Sequence, residues 1–540
     1  MDPANPSNSN VIDPMTHPIS PGNTGIQELR RTVGEIRTIL PGELDKSCPI
    51  VLVPGFSGWS QPFLGTVNYF GGFEDLPLIL SNAGYIVIVV RIGPLSTNRE
   101  RACEVFAQLR KINSSASGRK GLPRGYDLPG TSPATLIPVD YGTTNSSPHQ
   151  NLVAAAQIWQ AVVYASDSNP LPGTWKWSDT NKVNFICHSQ GGTTIRYLIE
   201  LLSGSKGPDL PQFEGTDRQD WVKSVVTLGS PHKGTTITSV VNDFLPLDGL
   251  DPLIDFVTSC SFNPRSERIY DLCLDHWEFS RRPDETYQAM RDRIAPDVRT
   301  WWTGRSNGLN DNSLRGAEAL ETFAPTASNQ IYYFTMSFCA TQPFPQANLT
   351  PQDINEFLDM FHFHQVWNPF GLLGHFFSPV QAFLSWVTVL PALYATLTWL
   401  TDVANRHLAQ LGYFSQIPRP GSQIPRSDIL PLMAFPAYSM AGRRIDENAY
   451  PRIPSGEFQP NDGIVNTRSM DGPVAGPVDN GFFPTALRAP GNTVKGKYWH
   501  LGKNSTIDHA DEIGVFTDRR TNAEIQVMYL LFAELGARIR

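Results

Sequence analysis

A short apolar run ends at a serine that is followed, after one glutamine, by two glycines. Residues 183–198 read VNFICHSQGGTTIRYL, with a strand-like run before Ser189 and a helix-like run after it. A turn from a strand through Ser into a helix forces the serine into a strained backbone conformation, so the residues two before and two after it must be small. Gly191 meets this requirement, and Cys187 stands where glycine is more usual. The pattern predicts Ser189 as a nucleophile at the C-terminal end of a sheet; the alternative is an ordinary serine in a strand-to-helix turn.

A serine nucleophile needs a histidine to take its proton and a carboxylate to hold that histidine in the right tautomer. When the nucleophile lies on such a turn, the usual chain order is Ser, acid, His. His509 lies in the polar segment 506–514 (TIDHADEIG) and is predicted as the base, the alternative being a surface histidine. Asp462 in Asn-Asp-Gly, a sequence that favours a turn, is predicted as the acid. Weaker candidates for the acid are Asp508, Asp511 and Asp479.

An ester hydrolysed by serine also needs N–H donors for the negative oxygen that develops on the substrate. One donor follows from the nucleophile turn itself, namely the N–H of Gln190. The other is expected after an early strand, where residues 50–59 read IVLVPGFSGW. Gly55 permits a close approach there, and the Phe56 N–H is the predicted second donor. In the alternative interpretation, Gly55 only ends a strand.

The elements that position these residues are predicted from short β-branched or aromatic runs that alternate with segments of helical spacing. This alternation predicts an α/β fold with a mostly parallel central sheet and helices on both faces. We expect one domain over 26–540, preceded by a disordered segment over 1–25 that is rich in Pro, Asn and Ser. The predicted strands are 49–53, 85–90, 183–187, 222–228, 331–338 and 497–501, and the predicted helices are 101–109, 154–164 and 193–202.

The segment 360–401 contains no Asp, Glu, Lys or Arg and lies inside an apolar insertion at about 340–435. Residues 376–400 are long enough to span a bilayer as a helix, although Pro379 and Pro391 interrupt them. The alternatives are a membrane span, a surface that docks on lipid or covers an acyl pocket, and buried helices. We favour lipid contact through 360–401, with 237–262 as a second candidate lid.

The charge, the charged fraction and the cysteines of the chain limit the classes of function that it can have. The net charge is −8 and no basic stripe is present, so nucleic acid is not expected as a partner. The charged fraction of 17% indicates a large apolar surface or insert, since about 25% is usual in soluble domains. The 6 cysteines form no CxxC pair, so buried free thiols are expected. The opening MDPANPSNSNVIDP does not predict a secretory signal; localisation is left open, with an intracellular, lipid-associated protein as one expectation.

Taken together, these blocks resemble the thermoalkalophilic bacterial lipases and the related staphylococcal lipases. The resemblance covers most of the chain from about Ile50 onwards. It implies an α/β-hydrolase fold with a lid, and hydrolysis of acylglycerols by Ser189, Asp462 and His509. The blocks that carry it are 51–59, 93–104 (GPLSTNRERACE), 139–142 (VDYG), 188–192 (HSQGG), 461–467 (NDGIVNT) with Ser469 and Met470, and 508–514.

The metal sites of that family are only partly kept. The resemblance puts Glu100 and Asp275 at the acidic zinc positions, but Asn145 and Asn151 stand where histidines are usual, with His149 only nearby. Amide oxygens bind zinc poorly compared with imidazole, so no tight zinc and no other cofactor are expected. At the family's calcium site, Asp511 retains one carboxylate and Phe516 replaces an aspartate. The oxyanion loop also differs, with Pro54 in place of a histidine, and the long insertion lies beyond the resemblance.

The sequence therefore predicts a serine-dependent lipase or carboxylic-ester hydrolase that works through an acyl-enzyme intermediate on a lipid ester. An acyltransferase, a phospholipase or a thioesterase would use the same three residues. From a different class, a membrane-associated interaction protein with a decayed site is the remaining alternative.

Overall fold

A computed structural model gives the architecture of the chain. It describes residues 12–59, 67–111, 126–127, 161–205, 210, 213–215, 217–244, 250–263, 271–344, 421–429, 431–491 and 493–540. The centre of the fold is a 9-stranded sheet whose strands are parallel except at one edge. The α/β class with a mostly parallel sheet, predicted from the sequence, is confirmed.

The strands follow the apolar runs of the sequence closely. In chain order they are β1 (Ile50–Val53), β2 (Val87–Val89), β3 (Tyr126–Asp127), β4 (Val162–Tyr164), β5 (Val183–His188), β6 (Val222–Leu228), β7 (Tyr332–Phe338), β8 (Thr341–Pro343), β9 (Gln423–Pro425), β10 (Val478–Asp479) and β11 (Tyr498–Asn504). The sheet order is β10-β11-β7-β6-β5-β1-β2-β4-β3, and β8 and β9 form a separate antiparallel pair. The central position of β5, between β1 and β6, places its C-terminal end in the middle of the sheet edge.

Both faces of the sheet are buried, and each carries its own hydrophobic core. Side chains of successive strand residues point to opposite faces. On β5, Phe185 belongs to one core while Ile186 belongs to the other, and on β1 Val51 and Leu52 divide in the same way. Burial on both faces explains why these strands are apolar throughout and do not alternate with polar residues.

Helices cover each face. In chain order they are α1 (Thr24–Ile39), α2 (Leu76–Asn82), α3 (Asn98–Lys111), α4 (Gln190–Leu202), α5 (Ile237–Phe244), α6 (Asp251–Phe262), α7 (Tyr287–Thr303), α8 (Gly308–Asp311), α9 (Leu314–Phe323), α10 (Pro431–Ala441), α11 (Phe483–Arg488) and α12 (Arg519–Arg538). The core that contains Phe185 includes apolar residues of α3, α4, α6 and α7, and the opposite core includes those of α1, α2 and α12.

Two sequence predictions need correction. The predicted helix over 154–164 ends in a strand, because Val162–Tyr164 forms β4, which pairs antiparallel with β2. Its β-branched and aromatic residues favour an extended strand over a helix. The predicted disorder over 1–25 does not extend to residues 12–25: Asn23 is buried and donates a 2.7 Å hydrogen bond to Glu524 Oε2 on α12, and α1 begins at Thr24.

The structure describes most of one candidate lipid-contact segment and none of the other. The segment 360–401, including 376–400, lies outside the described residues. In the other candidate lid, 237–262, α5 and α6 bury Val240, Ile254 and Val257. Among the helices that the structure describes, none has the length and apolarity that a bilayer crossing requires. The cysteines are free thiols, and Cys103, Cys187, Cys273 and Cys339 are buried.

Candidate active site

The turn between β5 and α4 holds Ser189 in a strained conformation. Its φ of 54° and ψ of −129° lie outside the regions that non-glycine residues usually occupy. Small neighbours make this possible, because a Cβ atom at Gly191 would lie 2.5 Å from the Val53 carbonyl oxygen. Cys187 is fully buried two residues before the serine, and burial raises the pKa of its thiol well above the ordinary value. A strained serine between two buried small residues is the geometry expected of a nucleophile turn.

The loop after β1 lies directly against this serine. A Cβ atom at Gly55 would lie 2.6 Å from Ser189 Cβ and 3.1 Å from its Oγ, so only glycine fits there. Within the described part of the chain, the Phe56 N–H donates to no other group. The Gln190 N–H is the first of α4, where helix geometry leaves donors without an intrahelical partner. In the described structure, both predicted oxyanion donors are therefore main-chain N–H groups without a hydrogen-bond partner. The N–H of Gln190 follows Ser189 directly, and that of Phe56 follows Gly55, which lies against Ser189.

A buried guanidinium fixes the shape of that loop. Arg101 on α3 is fully buried and donates to the carbonyl oxygen of Gly55 at 3.1 Å and to that of Pro54. It also donates to the Gly93 carbonyl at 3.0 Å and to Thr194 Oγ1 at 3.0 Å. Burial lowers the pKa of Arg101 to about 10, which leaves it charged at neutral pH. The sequence analysis did not single out Arg101, although it lies within the block 93–104.

Tyr69 and His188 continue this network towards the base. The Tyr69 hydroxyl accepts a 2.8 Å hydrogen bond from the Gly55 N–H and lies 2.8 Å from His188 Nδ1. Burial, and then the neighbouring His509, lower the pKa of His188 well below its ordinary value, so the ring is neutral. The Gly55 N–H can only donate, so the acceptor that the described structure offers to the buried Tyr69 O–H is His188 Nδ1, and the His188 proton is therefore assigned to Nε2.

The structure brings the predicted acid and base together from distant parts of the sequence. His509 Nδ1 lies 2.7 Å from Asp462 Oδ2, and the His509 N–H donates to the Asp462 carbonyl at 3.0 Å. The second carboxylate oxygen of Asp462 accepts from the N–H groups of Ile464 at 2.8 Å and Val465 at 2.7 Å. Asp462 is fully buried, so its orientation is fixed on every side.

The other candidate acids have different partners. Asp508 Oδ1 accepts from the N–H groups of Ala510 and Asp511, and Asp479 accepts from Lys497 Nζ at 2.9 Å. Asp511 Oδ2 accepts from the Asp508 N–H at 3.2 Å. None of these three carboxylates is hydrogen-bonded to His509 in the described structure, whereas Asp462 is.

The charge state of His509 follows from its surroundings. Burial alone would lower its pKa, but Asp462 and then Glu512 outweigh this effect and raise the pKa above 6.5. The His509 ring lies 4.5 Å from the ring of His188, the residue next to the nucleophile. In the described structure no hydrogen bond joins Ser189 Oγ to His509; such contacts often tighten only once a substrate is bound.

Glu512 is another residue of this site that the sequence analysis did not single out. Its Oε1 lies 3.6 Å from His509 Nδ1 and its Oε2 lies 3.2 Å from His188 Nε2. The sequence places it three residues after His509, in a short 3₁₀ helix, Asp511–Ile513, that begins two residues after that histidine. That spacing was the available signal.

The structure describes only some of the residues at the family's metal positions. Asp511 offers one carboxylate near Arg426, and Phe516 contributes an apolar ring, whereas Ca²⁺ takes six to eight oxygen ligands. Glu100 is buried on α3. Of the other zinc-position residues, the side chain of Asp275 is not described, and Asn145, His149 and Asn151 lie outside the described residues.

Another set, His188, His509 and Glu512, has ligand atoms within 4.8 Å of one another. His509 Nδ1 already faces Asp462, and His188 Nδ1 already faces Tyr69. These two ring nitrogens are therefore already occupied by hydrogen-bond partners.

A large cavity of the described structure lies apart from this site. Its volume is about 1140 Å³, and its lining includes His17, Phe73, Phe516 and Arg519 but none of the predicted catalytic residues. We therefore place no substrate in it.

Comparison with known proteins finds lipases and a lipase-like family among the similar sequences. The family described as "Lipase-like, C-terminal domain" matches residues 172–367. Lipase 1 of Staphylococcus aureus is 25% identical over 353 residues, which are 62% of this chain and 45% of that protein. A lipase of Staphylococcus epidermidis is 24% identical over 299 residues, which are 53% of this chain and 37% of that protein. The chain thus spans less than half the length of these relatives.

Solved structures agree on the fold. Staphylococcus hyicus lipase superposes with a TM-score of 0.55 at 21% identity, covering 92% of this chain and 97% of that one. EstA from Clostridium botulinum gives 0.54 at 20% identity, covering 96% and 99%. The sheet order, the strained serine turn and these neighbours define an α/β-hydrolase fold. Over part of its length, the sequence is similar to the staphylococcal lipases.

Proposed function

We propose that this protein is a lipase-type carboxylic-ester hydrolase that acts on acylglycerols, with Ser189 as nucleophile, His509 as general base and Asp462 as the acid. The observation that carries the proposal is the 2.7 Å contact between His509 Nδ1 and Asp462 Oδ2, with the His509 ring 4.5 Å from that of His188, the residue before the strained Ser189. Two of its relatives are named lipases, which supports the reaction class.

In the first step, His509 Nε2 removes the proton of Ser189, and the serine oxygen attacks the ester carbonyl carbon. The N–H groups of Phe56 and Gln190 hold the oxyanion that forms. Asp462 stabilises the imidazolium through Nδ1 and is not itself protonated. His509 then gives its proton to the departing alcohol, which leaves an acyl-enzyme on Ser189.

In the second step, water takes the place of the alcohol. His509 removes a proton from the water, the hydroxide attacks the acyl carbonyl, and the acid product leaves as Ser189 regains its proton. Apolar segments at 237–262 and 360–401 would provide the contact with a lipid surface, which a water-insoluble ester requires.

Replacement of the nucleophile tests the proposal. We expect Ser189→Ala to abolish hydrolysis of p-nitrophenyl butyrate and of emulsified triacylglycerol, and to abolish labelling by a fluorophosphonate probe, which reacts only with an activated serine. The exposed Ser168→Ala is the control and should retain both. Turnover by the Ser189→Ala protein near that of the unmodified protein would refute the assignment, as would an unlabelled, inactive unmodified protein.

A substrate panel separates the alternatives that share the same residues. Phospholipid, thioester and triacylglycerol are assayed with and without an added alcohol acceptor. Free fatty acid from triacylglycerol as the main product supports a lipase. A preference for phospholipid, for thioester or for transfer to the alcohol would instead indicate a phospholipase, a thioesterase or an acyltransferase.

A further inference from the structure

The hydroxyl group of Tyr69 joins two parts of the candidate site that are far apart in the sequence. The tyrosine is buried, and its oxygen lies 2.8 Å from the Gly55 nitrogen and 2.8 Å from His188 Nδ1. Gly55 directly precedes Phe56, and His188 directly precedes Ser189. One side chain therefore binds the neighbour of a predicted oxyanion donor and also the neighbour of the predicted nucleophile.

On the oxyanion loop, Tyr69 supplies a contact that Arg101 cannot make, because a guanidinium group contains donors only. In a trans peptide group the N–H and the C=O point in opposite directions within one plane. Arg101 donates to the Pro54 carbonyl oxygen, and the Gly55 N–H at the opposite edge of the same trans peptide group donates to Tyr69. That peptide group is thus held at both edges, and the next one carries the Phe56 N–H.

On the side of the nucleophile, Tyr69 fixes the ring of His188. Nδ1 of that ring faces the hydroxyl, and the ring centroid lies 4.5 Å from that of His509. His188 is the last residue of β5, and the main chain turns at Ser189 directly after it. Rotation of the His188 ring would therefore disturb both its packing against the predicted base and the strand end from which the nucleophile turn begins.

The tyrosine is itself held by aromatic and main-chain contacts. Its ring packs edge-on against Trp59 and Phe70, with centroids 5.2 Å and 5.0 Å away. The Gly71 N–H donates to the Ile513 carbonyl oxygen at 2.6 Å, which ties the segment after Tyr69 to the segment that follows the predicted base. The hydroxyl is therefore in place before a substrate arrives, as a preorganised site requires.

We propose that Tyr69 is a positioning residue of this hydrolase, whose hydroxyl holds the oxyanion loop and the nucleophile turn in their relative positions through Gly55 and His188. This inference rests on the proposed function, because both partners adjoin groups of the proposed reaction. Tyr69 acts through these neighbours and transfers no proton to the substrate. It accepts one hydrogen bond and donates one, which phenylalanine cannot do although its ring has the same shape.

The substitution Tyr69→Phe removes the oxygen and keeps the ring. We expect kcat on a soluble ester to fall about 10- to 10²-fold, less than the loss of about 10²- to 10³-fold for removing an oxyanion donor itself. KM should stay within about threefold, because an interaction that counts mainly in the transition state affects kcat.

The matched control is Tyr333→Phe. Tyr333 is also buried, and its oxygen also accepts a main-chain N–H, that of Ser328 at 3.1 Å. It lies near the N-terminal end of β7, at the opposite edge of the parallel sheet from Ser189. Its loss therefore removes a comparable hydrogen bond without touching the candidate site. An equal kcat of the Tyr69→Phe and Tyr333→Phe proteins would overturn the proposal.

Affinity for a transition-state analogue separates positioning from a loss of stability. A trifluoromethyl ketone adds to an activated serine and carries the negative oxygen that the Phe56 and Gln190 N–H groups are proposed to hold. Its inhibition constant should rise in Tyr69→Phe by about the factor by which kcat/KM falls, because both depend on complementarity to the transition state. Circular dichroism and thermal unfolding measure stability separately. An unchanged inhibition constant together with a reduced kcat would refute the positioning role.

The unmodified protein keeps the test decisive if Tyr69→Phe does not fold. In a crystal structure with a phosphonate bound covalently to Ser189, the Tyr69 oxygen should lie within about 3.2 Å of both the Gly55 nitrogen and His188 Nδ1. A hydroxyl that has left either partner would contradict the inference. Failure of the proposed function has a different signature, because the unmodified protein would then be neither labelled by a fluorophosphonate nor active on esters.

Discussion

The two halves of this site are built by different means. On the side of the nucleophile, the shape is set by main chain and by small residues: the turn at Ser189, the glycines at 55 and 191, and the carbonyl groups that Arg101 holds. On the side of the base, buried ionisable side chains meet, with Asp462 and Glu512 both near His509 Nδ1. The first half therefore depends on sterics and backbone hydrogen bonds, and the second on charge.

This difference determines how each half should respond to change. A steric site tolerates no added atom but is insensitive to pH. A charge-based site tolerates isosteric changes in shape but responds to every gain or loss of a proton. The three predictions below test the two halves separately, and the matched variants keep general destabilisation apart from local effects.

The largest effect is expected from loss of the guanidinium that holds the oxyanion loop. Arg101→Met leaves the Pro54 and Gly55 carbonyl oxygens without their buried donor, and the Phe56 N–H loses its fixed direction. We expect kcat to fall by about 10²- to 10³-fold, the usual cost of losing an oxyanion donor. Steady-state kinetics on a soluble ester measure the loss, with the exposed Arg315→Met as control. A kcat within threefold of the control's would show that the loop keeps its shape without Arg101.

A smaller effect is expected from one added methyl group in the nucleophile turn. The Cβ of Gly191→Ala would lie 2.5 Å from the Val53 carbonyl oxygen and 2.9 Å from that of Pro54, both main-chain atoms that cannot easily move away. Overpacking of this kind destabilises by about 1–3 kcal/mol, and activity should fall with it. Urea unfolding measures the change. Gly456→Ala, whose Cβ would meet no atom within 4 Å, is the control, and equal stability of the two variants would contradict the steric account.

The smallest effect is a displacement of the pH profile. His509 accepts the serine proton only when it is neutral, and its neighbouring carboxyl groups raise its pKa above 6.5 despite burial. The imidazolium therefore persists to higher pH, and kcat/KM should fall as the pH drops through a value above 6.5, with little loss on the alkaline side until the protein itself unfolds. The measurement is kcat/KM from pH 5 to 10. An acid limb at or below 6.5 would contradict the predicted influence of the carboxyl groups.

The nucleophile half could be predicted from local sequence because its determinants are local. A strand, a serine, two glycines and a helix are contiguous over 183–198, and the observed β5 and α4 meet at Ser189. The strands near it were also predicted well, since burial on both faces makes them continuous apolar runs. By contrast, the helix predicted over 154–164 was wrong at its end, because helical spacing in a short apolar run does not exclude a strand.

The base half could be predicted only in part. Asp462 and His509 were found from turn chemistry and resemblance, and the structure places them in contact. Glu512 reads as an ordinary polar loop residue, because burial of a carboxyl group is a tertiary property that composition does not reveal. The same holds for Asn23, whose polar neighbours suggested disorder, whereas Glu524 on the last helix buries it.

The hydroxyl of Tyr69 carries a consequence for both halves. Its single proton goes to His188 Nδ1, the one acceptor among its two partners in the described structure, because the other partner, the Gly55 amide, is a donor. A peptide flip at Gly55 would therefore reverse the polarity of the whole relay and move the hydrogen of the His188 ring to its other nitrogen. A rotation of the peptide at Gly55, in the loop after β1, would thus change the direction of the His188 ring dipole beside Glu512.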